Sequence, residues 1–219
     1  ARALLQFLKR LAPSDWQRPT VLPTWRVKEI ASHLVDTALR RLSGGRDRYR
    51  PDGAGPVIRD YADLVRHVGS VADEWVAATR GLSPAVLIDL LDRFEPQLHE
   101  YFSGLDPAAP ARVSVAWAGE TQSPVWFDIA REYTERWHHQ MQIRDAFGDL
   151  AIQSPDLYRP VLETFMRALP HHCRGIGAAE GTVLRVTVAG EAGSSWYLLR
   201  GDGAWHLSFE EPGRVTAWT

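Results

Sequence analysis

An α+β fold is predicted, with a helical bundle over residues 1–170 and a small β-rich module over residues 171–219. Three observations predict it. Apolar residues recur at helical spacing through the first two-thirds of the chain, as at Val27, Ile30, Ala31, Leu34 and Val35. Serine–proline pairs at Ser83-Pro84, Ser123-Pro124 and Ser154-Pro155 mark helix starts, with serine as cap and proline in the first turn. After Gly181 the period drops to two, where Leu184, Val186 and Val188 alternate with Arg185 and Thr187.

The elements follow in order. Leu4, Leu5, Leu8 and Leu11 open a short helix that Pro13 and the loop from Gln17 to Thr24 bring to an end. Thr24 is the expected cap of the next helix, which runs through Ala38 and stops before Gly44-Gly45. Residues 46–59 read as a surface loop. Asp60 caps a helix to about Arg80, and Ser83-Pro84 starts one that ends near Tyr101. Gly104 and the segment Pro107 to Pro110 break the pattern, and residues 112–122 suit a short hairpin. A long helix then runs from Pro124 to Phe147, with Gly148 at its end. The last helix runs from Ser154-Pro155 to near Pro170. Strands follow around 184–188, 196–199 and 205–209, with a turn at Gly201-Asp202-Gly203 and a fourth strand begun at 214–218. The pattern stops at Thr219 in mid-sheet, so the C-terminal module is expected to be incomplete. The start at Ala1 without methionine suggests that residues precede it.

Composition narrows the partners. With 45% hydrophobic and 24% charged residues, the 219-residue chain can bury a core. A formal charge of −2 gives no basic surplus for nucleic acid. No apolar run nears the roughly 18 residues of a membrane span. The lone cysteine, Cys173, excludes an internal disulfide framework and fits a reducing compartment such as the cytoplasm. A small-molecule partner is therefore expected, with no nucleic acid and no membrane. A homodimer through the bundle helices is left open.

The chemistry-bearing residues sit on two helices. Glu135 and His139 are four apart and share one helix face. His33 lies between Ala31 and Leu34 on a helix with an apolar face, and offers a third ligand. Two imidazoles and a carboxylate leave a coordination position open, as catalytic zinc sites do. Spacing alone also allows a solvated salt bridge at Glu135 and a plain helix histidine at His33. It allows His138, three residues after Glu135, to replace His139. Arg131, one turn before Glu135, suits a substrate carboxylate or a salt bridge to Glu135. Gln142, about one turn beyond His139, suits the pocket lining, and Asp36, one turn after His33, suits a ligand-orienting role or surface charge. Trp16 and Trp25 suit packing of their loop against the bundle. The tract His171-His172-Cys173 lacks a matching cysteine partner and reads as a connector.

Two longer motifs carry a resemblance. Asp15-Trp16-Gln17-Arg18-Pro19-Thr20 leads to Pro23-Thr24-Trp25-Arg26-Val27-Lys28-Glu29-Ile30-Ala31-Ser32-His33-Leu34. Glu135-Arg136-Trp137-His138-His139 is followed by Ile143-Arg144-Asp145-Ala146-Phe147-Gly148. Together they resemble the N-terminal domain of the mycothiol-dependent maleylpyruvate isomerase family, within the DinB-like superfamily. The resemblance covers most of residues 1–170, and the remainder is similar to that family's small α/β C-terminal domain. It implies a DinB-like four-helix bundle of up-down-down-up type. It also implies a divalent metal, Zn²⁺ before other first-row ions, held by His33, Glu135 and His139. The family places Trp midway between its Glu and His, as Trp137 stands here. Gln142 departs from the pattern, which often has an acidic residue there.

What the resemblance implies for function is an enzyme with a low-molecular-weight thiol, mycothiol, as co-substrate. A free thiol has a pKa near 8.5, and coordination to Zn²⁺ makes it a thiolate at neutral pH. No catalytic cysteine of the chain is then needed. Addition of the thiolate to a cis double bond permits rotation, and elimination gives the trans isomer. With other electrophiles the same first step yields a stable conjugate. Arg131 and Gln142 are the candidate catalytic residues. The alternative is a non-catalytic metal- or small-molecule-binding protein with a stress or resistance role on the same bundle.

Overall fold

The structure is a computed structural model that describes residues 2–50 and 57–213. Its helices begin where the chain can satisfy their free N–H groups. α1 is Arg2–Leu8 and α2 is Val27–Arg41. The residue that caps α2 is Arg26, not Thr24, because the Glu29 carboxylate reaches back to accept from the Arg26 backbone N–H at 3.0 Å. Thr24 is left two residues outside. α3, Tyr61–Ala78, opens on Asp60, whose carboxylate accepts from the Asp63 N–H at 2.7 Å. α4, Pro84–Ser103, opens on Ser83, whose hydroxyl accepts from the Val86 N–H at 3.3 Å.

α5, Val125–Asp145, ends where Gly148 takes a φ of +66°. The Asp149 N–H then donates to the Arg144 carbonyl at 3.1 Å, closing the last turn. α6 is Pro155–Met166 and α7 is Leu169–Cys173. The sequence suggests one helix here, but the chain restarts at Leu169, with Pro170 in the first turn of α7, where its missing N–H costs nothing. Residues 112–122 hold a short 3₁₀ turn at Ala116–Ala118 instead of the expected hairpin. Ser123 accounts for this. Its hydroxyl accepts from the Val115 N–H at 2.8 Å and its carbonyl from the Ala111 N–H at 2.8 Å, so the segment folds back on one residue without a ladder.

β1, Val183–Thr187, β2, Ser195–Gly201, and β3, Ala204–Ser208, form an antiparallel sheet in the order β1-β2-β3. Leu198 faces Leu184 on one side and Leu207 on the other. The β2–β3 turn puts Asp202 at φ 52° and Gly203 at φ 73°, the two left-handed positions of a tight hairpin turn. The expected strand at 214–218 lies outside the described residues, as does the 51–56 part of the expected surface loop. The α+β class is borne out.

The chain forms two compact units, Ala1–Asp106 with His138–Leu150, and Pro107–Trp137 with Ala151–Thr219. α5 is unbroken and enters both. In the first, Leu8, Ile30, Leu34, Leu87, Leu91 and Ile143 are completely or almost completely buried in one core. Each such side chain contributes roughly 1.5–3 kcal/mol by burial. Arg144 ties the end of α5 into it. Its guanidinium donates to the Ala3 carbonyl at 3.0 Å and to Asp149 at 2.8 Å, and lies 4.5 Å from the Phe7 ring centre. In the second unit, Val115, Phe127 and Ala168 form a smaller core beside Trp117. Arg167 sits over Trp126 at 4.7 Å and over Phe209 at 5.0 Å. No helix among the described residues is long and apolar enough to cross a membrane.

Candidate metal centre

The site is built from α2 and α5. His33 occupies the buried face of α2 among Ile30, Ala31, Leu34 and Val35, so the same helical spacing that fills the core brings its imidazole inside. His139 lies in the same unit, and the two rings meet edge to face with centres 4.7 Å apart. Glu135 stands one turn before His139 on the unbroken α5, so its carboxylate is placed through His139 by the helix itself. The donor atoms of His33, Glu135 and His139 all lie within 4.8 Å of one another. Among the described residues this is the one group in which three metal-ligating side chains converge. His138, which spacing alone also allowed, is exposed, and its ring centre is 6.1 Å from that of His139.

The surroundings orient and dry the group. Gln142 is buried, and its Oε1 lies 2.9 Å from His139 Nδ1. An amide oxygen only accepts, so Nδ1 carries the proton and the Nε2 lone pair is left for coordination. Trp25 covers one side, with its ring centre 5.0 Å from that of His33 and 6.3 Å from that of His139. The indole N–H donates to Asp73 of α3 at 3.1 Å, which holds the ring in place. Asp73 carried no signal in the sequence, because its partner is remote along the chain.

Residues 1–144 match the family described as mycothiol maleylpyruvate isomerase N-terminal domain. The chain belongs to this family. Two solved structures share its fold. One is a crystal structure of the mycothiol-dependent maleylpyruvate isomerase, with 15% identity and a TM-score of 0.54, covering 83% of this chain and 70% of that one. The other is a histidine-to-alanine mutant of a mycothiol-dependent maleylpyruvate isomerase, with 14% identity, a TM-score of 0.51 and the same coverage. No curated protein matches the sequence. The family match takes in α1 to α4 and nearly all of α5, and so both helices that carry the converging His33, Glu135 and His139.

The other residues singled out from the sequence fall as follows. Arg131 donates through Nε and Nη2 to Asp128 and through Nη2 to Glu132, at 3.0–3.4 Å. Its salt bridges thus run to these two carboxylates of its own helix. Trp16 is fully packed in the first core, as expected. His171 and His172 lie in α7, where His172 faces the Trp117 carbonyl at 3.0 Å. Tyr133 donates its hydroxyl to the Leu157 carbonyl at 2.8 Å, and burial pushes its pKa up.

Asp36 is a buried carboxylate and not a surface charge, with only 2% of its surface exposed. Its one oxygen takes the Arg40 Nε at 2.6 Å. Burial pushes its pKa up, and the Arg40 charge and hydrogen bond only partly offset this. A carboxyl whose pKa is higher folded than unfolded favours folding most at low pH, and that contribution is lost as pH rises through the folded pKa. Asp36→Asn does not ionise. Its Tm relative to wild type should therefore rise between acidic and neutral pH. Parallel melting curves across that range would remove this account of Asp36.

Proposed function

We propose that this chain is a divalent-metal enzyme, with zinc as its resident ion. It uses a low-molecular-weight thiol of the mycothiol type to isomerise, or transfer sulfur to, a small electrophile. The observation that carries the reading is the convergence of two imidazoles and one carboxylate on α2 and α5. The donor set suits zinc, which bonds nitrogen and oxygen at about 2.0–2.2 Å and in catalytic sites takes three protein ligands and keeps one position open. His33, Glu135 and His139 would hold the ion, and when bound it would lower the pKa of a thiol occupying the open position.

The protein's own residues do the rest. Gln142 fixes the His139 tautomer through the 2.9 Å contact to Nδ1. Trp25 supplies an apolar wall beside both histidines, which keeps bulk water away and strengthens charge interactions in the site. Arg131 keeps its Nη1 donors for a substrate carboxylate while Asp128 and Glu132 fix the other side of the guanidinium. Residues 1–170 act as the metal-binding bundle and 171–219 as an accessory domain, in the cytoplasm.

The test is turnover of maleylpyruvate, and of a general thiol-reactive electrophile, by zinc-loaded protein with and without mycothiol. Turnover that needs both zinc and thiol is expected. In the same assay Gln142→Leu should need about 10–100-fold more free zinc for half-activity. Equal rates without thiol, or after metal removal, would overturn the reading. Thiol binding without turnover would leave a binding protein in its place.

A further inference from the structure

A cavity of about 420 Å³, within the range of small-ligand sites, opens between the start of α2 and the end of α3. Its lining includes Trp25, Arg26 and Glu29 from the first of these and Asp73, Val76 and Arg80 from the second. Two arginines and two carboxylates thus share one cavity, yet among the described residues neither guanidinium meets either carboxylate in an ion pair. Each charged group is instead held at one end by a neutral partner. Glu29 Oε2 accepts from the Arg26 backbone N–H at 3.0 Å, and Asp73 Oδ1 from the Trp25 indole at 3.1 Å. Arg26 Nη1 donates to the Gln17 amide oxygen at 3.2 Å, and Arg80 Nε to the Ala77 carbonyl at 3.0 Å. Each carboxylate keeps its second oxygen, and each guanidinium further N–H groups, at a pre-set position.

These unspent ends carry both signs, and that decides which ligand gains. A plain anion is drawn by the arginines and repelled by the carboxylates, and a plain cation the reverse. A ligand with one charge of each sign gains a charge-assisted hydrogen bond at both ends. α3 sets the spacing. Asp73 and Arg80 are seven residues apart, about two helical turns, which brings them to one side of α3. The bond to the Ala77 carbonyl turns Arg80 back along the helix. Val76 and the half-buried Trp25 ring supply an apolar floor for the space between this acid and this base.

We propose that this cavity binds a small zwitterion of the amino-acid type, with its ammonium on Asp73, its carboxylate on Arg80 and its apolar body over Val76 and Trp25. Glu29 and Arg26 add one further group of each sign. The inference goes beyond the thiol-dependent reading and does not rest on it, because neither a thiol nor the group of His33, Glu135 and His139 takes part.

The test is titration of the full chain, metal-free and zinc-loaded, with L-phenylalanine by calorimetry and saturation-transfer NMR. Millimolar or tighter binding is expected in both forms. N-acetyl-L-phenylalanine lacks the ammonium and L-phenylalaninamide lacks the carboxylate, so each should bind about tenfold more weakly or worse. Arg80→Ala and Asp73→Asn should weaken L-phenylalanine by a similar factor and keep the wild-type circular dichroism, since asparagine still offers the indole an acceptor. No binding by folded wild type, a capped form that binds as tightly as the zwitterion, or either variant binding as tightly as wild type would overturn the site. Binding by the zinc-loaded form alone would also overturn it, since that result is chelation at the metal.

Discussion

Protein purified without a tag and reconstituted with zinc should hold close to one equivalent, and His33→Ala, Glu135→Ala and His139→Ala should each lose it. The reason lies in the ligand number. Two remaining side chains cannot close a coordination shell against water, so each deletion should weaken binding on the order of 100-fold or more. That exceeds the roughly 10–100-fold typical of an outer-shell partner. Glu135→Gln tests charge separately from shape, because an amide keeps the side-chain volume but not the negative charge that offsets the ion. His138→Ala should retain full zinc, since this ring is exposed and lies outside the converging group. Zinc lost from His138→Ala but kept in His139→Ala would reverse the assignment on α5. A wild type that takes up no metal after reconstitution would remove the site. Secondary structure by circular dichroism should be preserved in all three ligand variants, because the core of Ile30, Leu34, Leu87 and Leu91 does not include these groups.

Local chemistry made much of this fold legible. Asp60 and Ser83 cap α3 and α4 because each side-chain oxygen needs only a backbone N–H three residues on. Gly148 stops α5 and Asp202-Gly203 turns β2 into β3 because few other residues accept a positive φ. The site was legible in part for the same reason. Glu135 and His139 declare themselves by spacing on one helix, whereas the meeting of His33 with His139 is a tertiary event that no local pattern encodes.

The residues that the sequence hid are those whose partners are remote or whose role competes with a stronger local signal. Asp73 reads as an ordinary exposed helix carboxylate until Trp25 is seen to donate to it. Asp36 reads as surface charge because a buried carboxylate on a helix is rare, and only packing shows it inside. Ser123 reads as a helix cap, but its hydroxyl serves Val115 in the preceding loop. Arg26 displaced Thr24 at the start of α2 because the cap there depends on the reach of Glu29 and not on a threonine hydroxyl.

Trp137→Ala should cost about 3 kcal/mol of stability, at the low end for loss of a large aromatic because the ring is only half-buried. Trp137 lies flat on Tyr158 of α6, with ring centres 4.5 Å apart and planes 6° from parallel, and its indole N–H donates to the Ile152 carbonyl at 2.9 Å. Trp137→Phe should retain the stack and lose only the hydrogen bond, a cost of about 1 kcal/mol. The position explains why a tryptophan stands between the two candidate ligands Glu135 and His139 without belonging to the converging group. It is two residues from each, which on a helix is about 200° around from Glu135 and from His139. One face of α5 thus carries the candidate ligands Glu135 and His139 while the opposite face anchors the helix to Ile152 and α6. Below its melting temperature Trp137→Ala should therefore still bind one equivalent of zinc, with a thermal midpoint several degrees lower by circular dichroism. A midpoint equal to wild type would show that the stack contributes nothing. Zinc lost from the folded variant would show instead that the anchor sets the ligand geometry, making the two faces of α5 a single cooperative device.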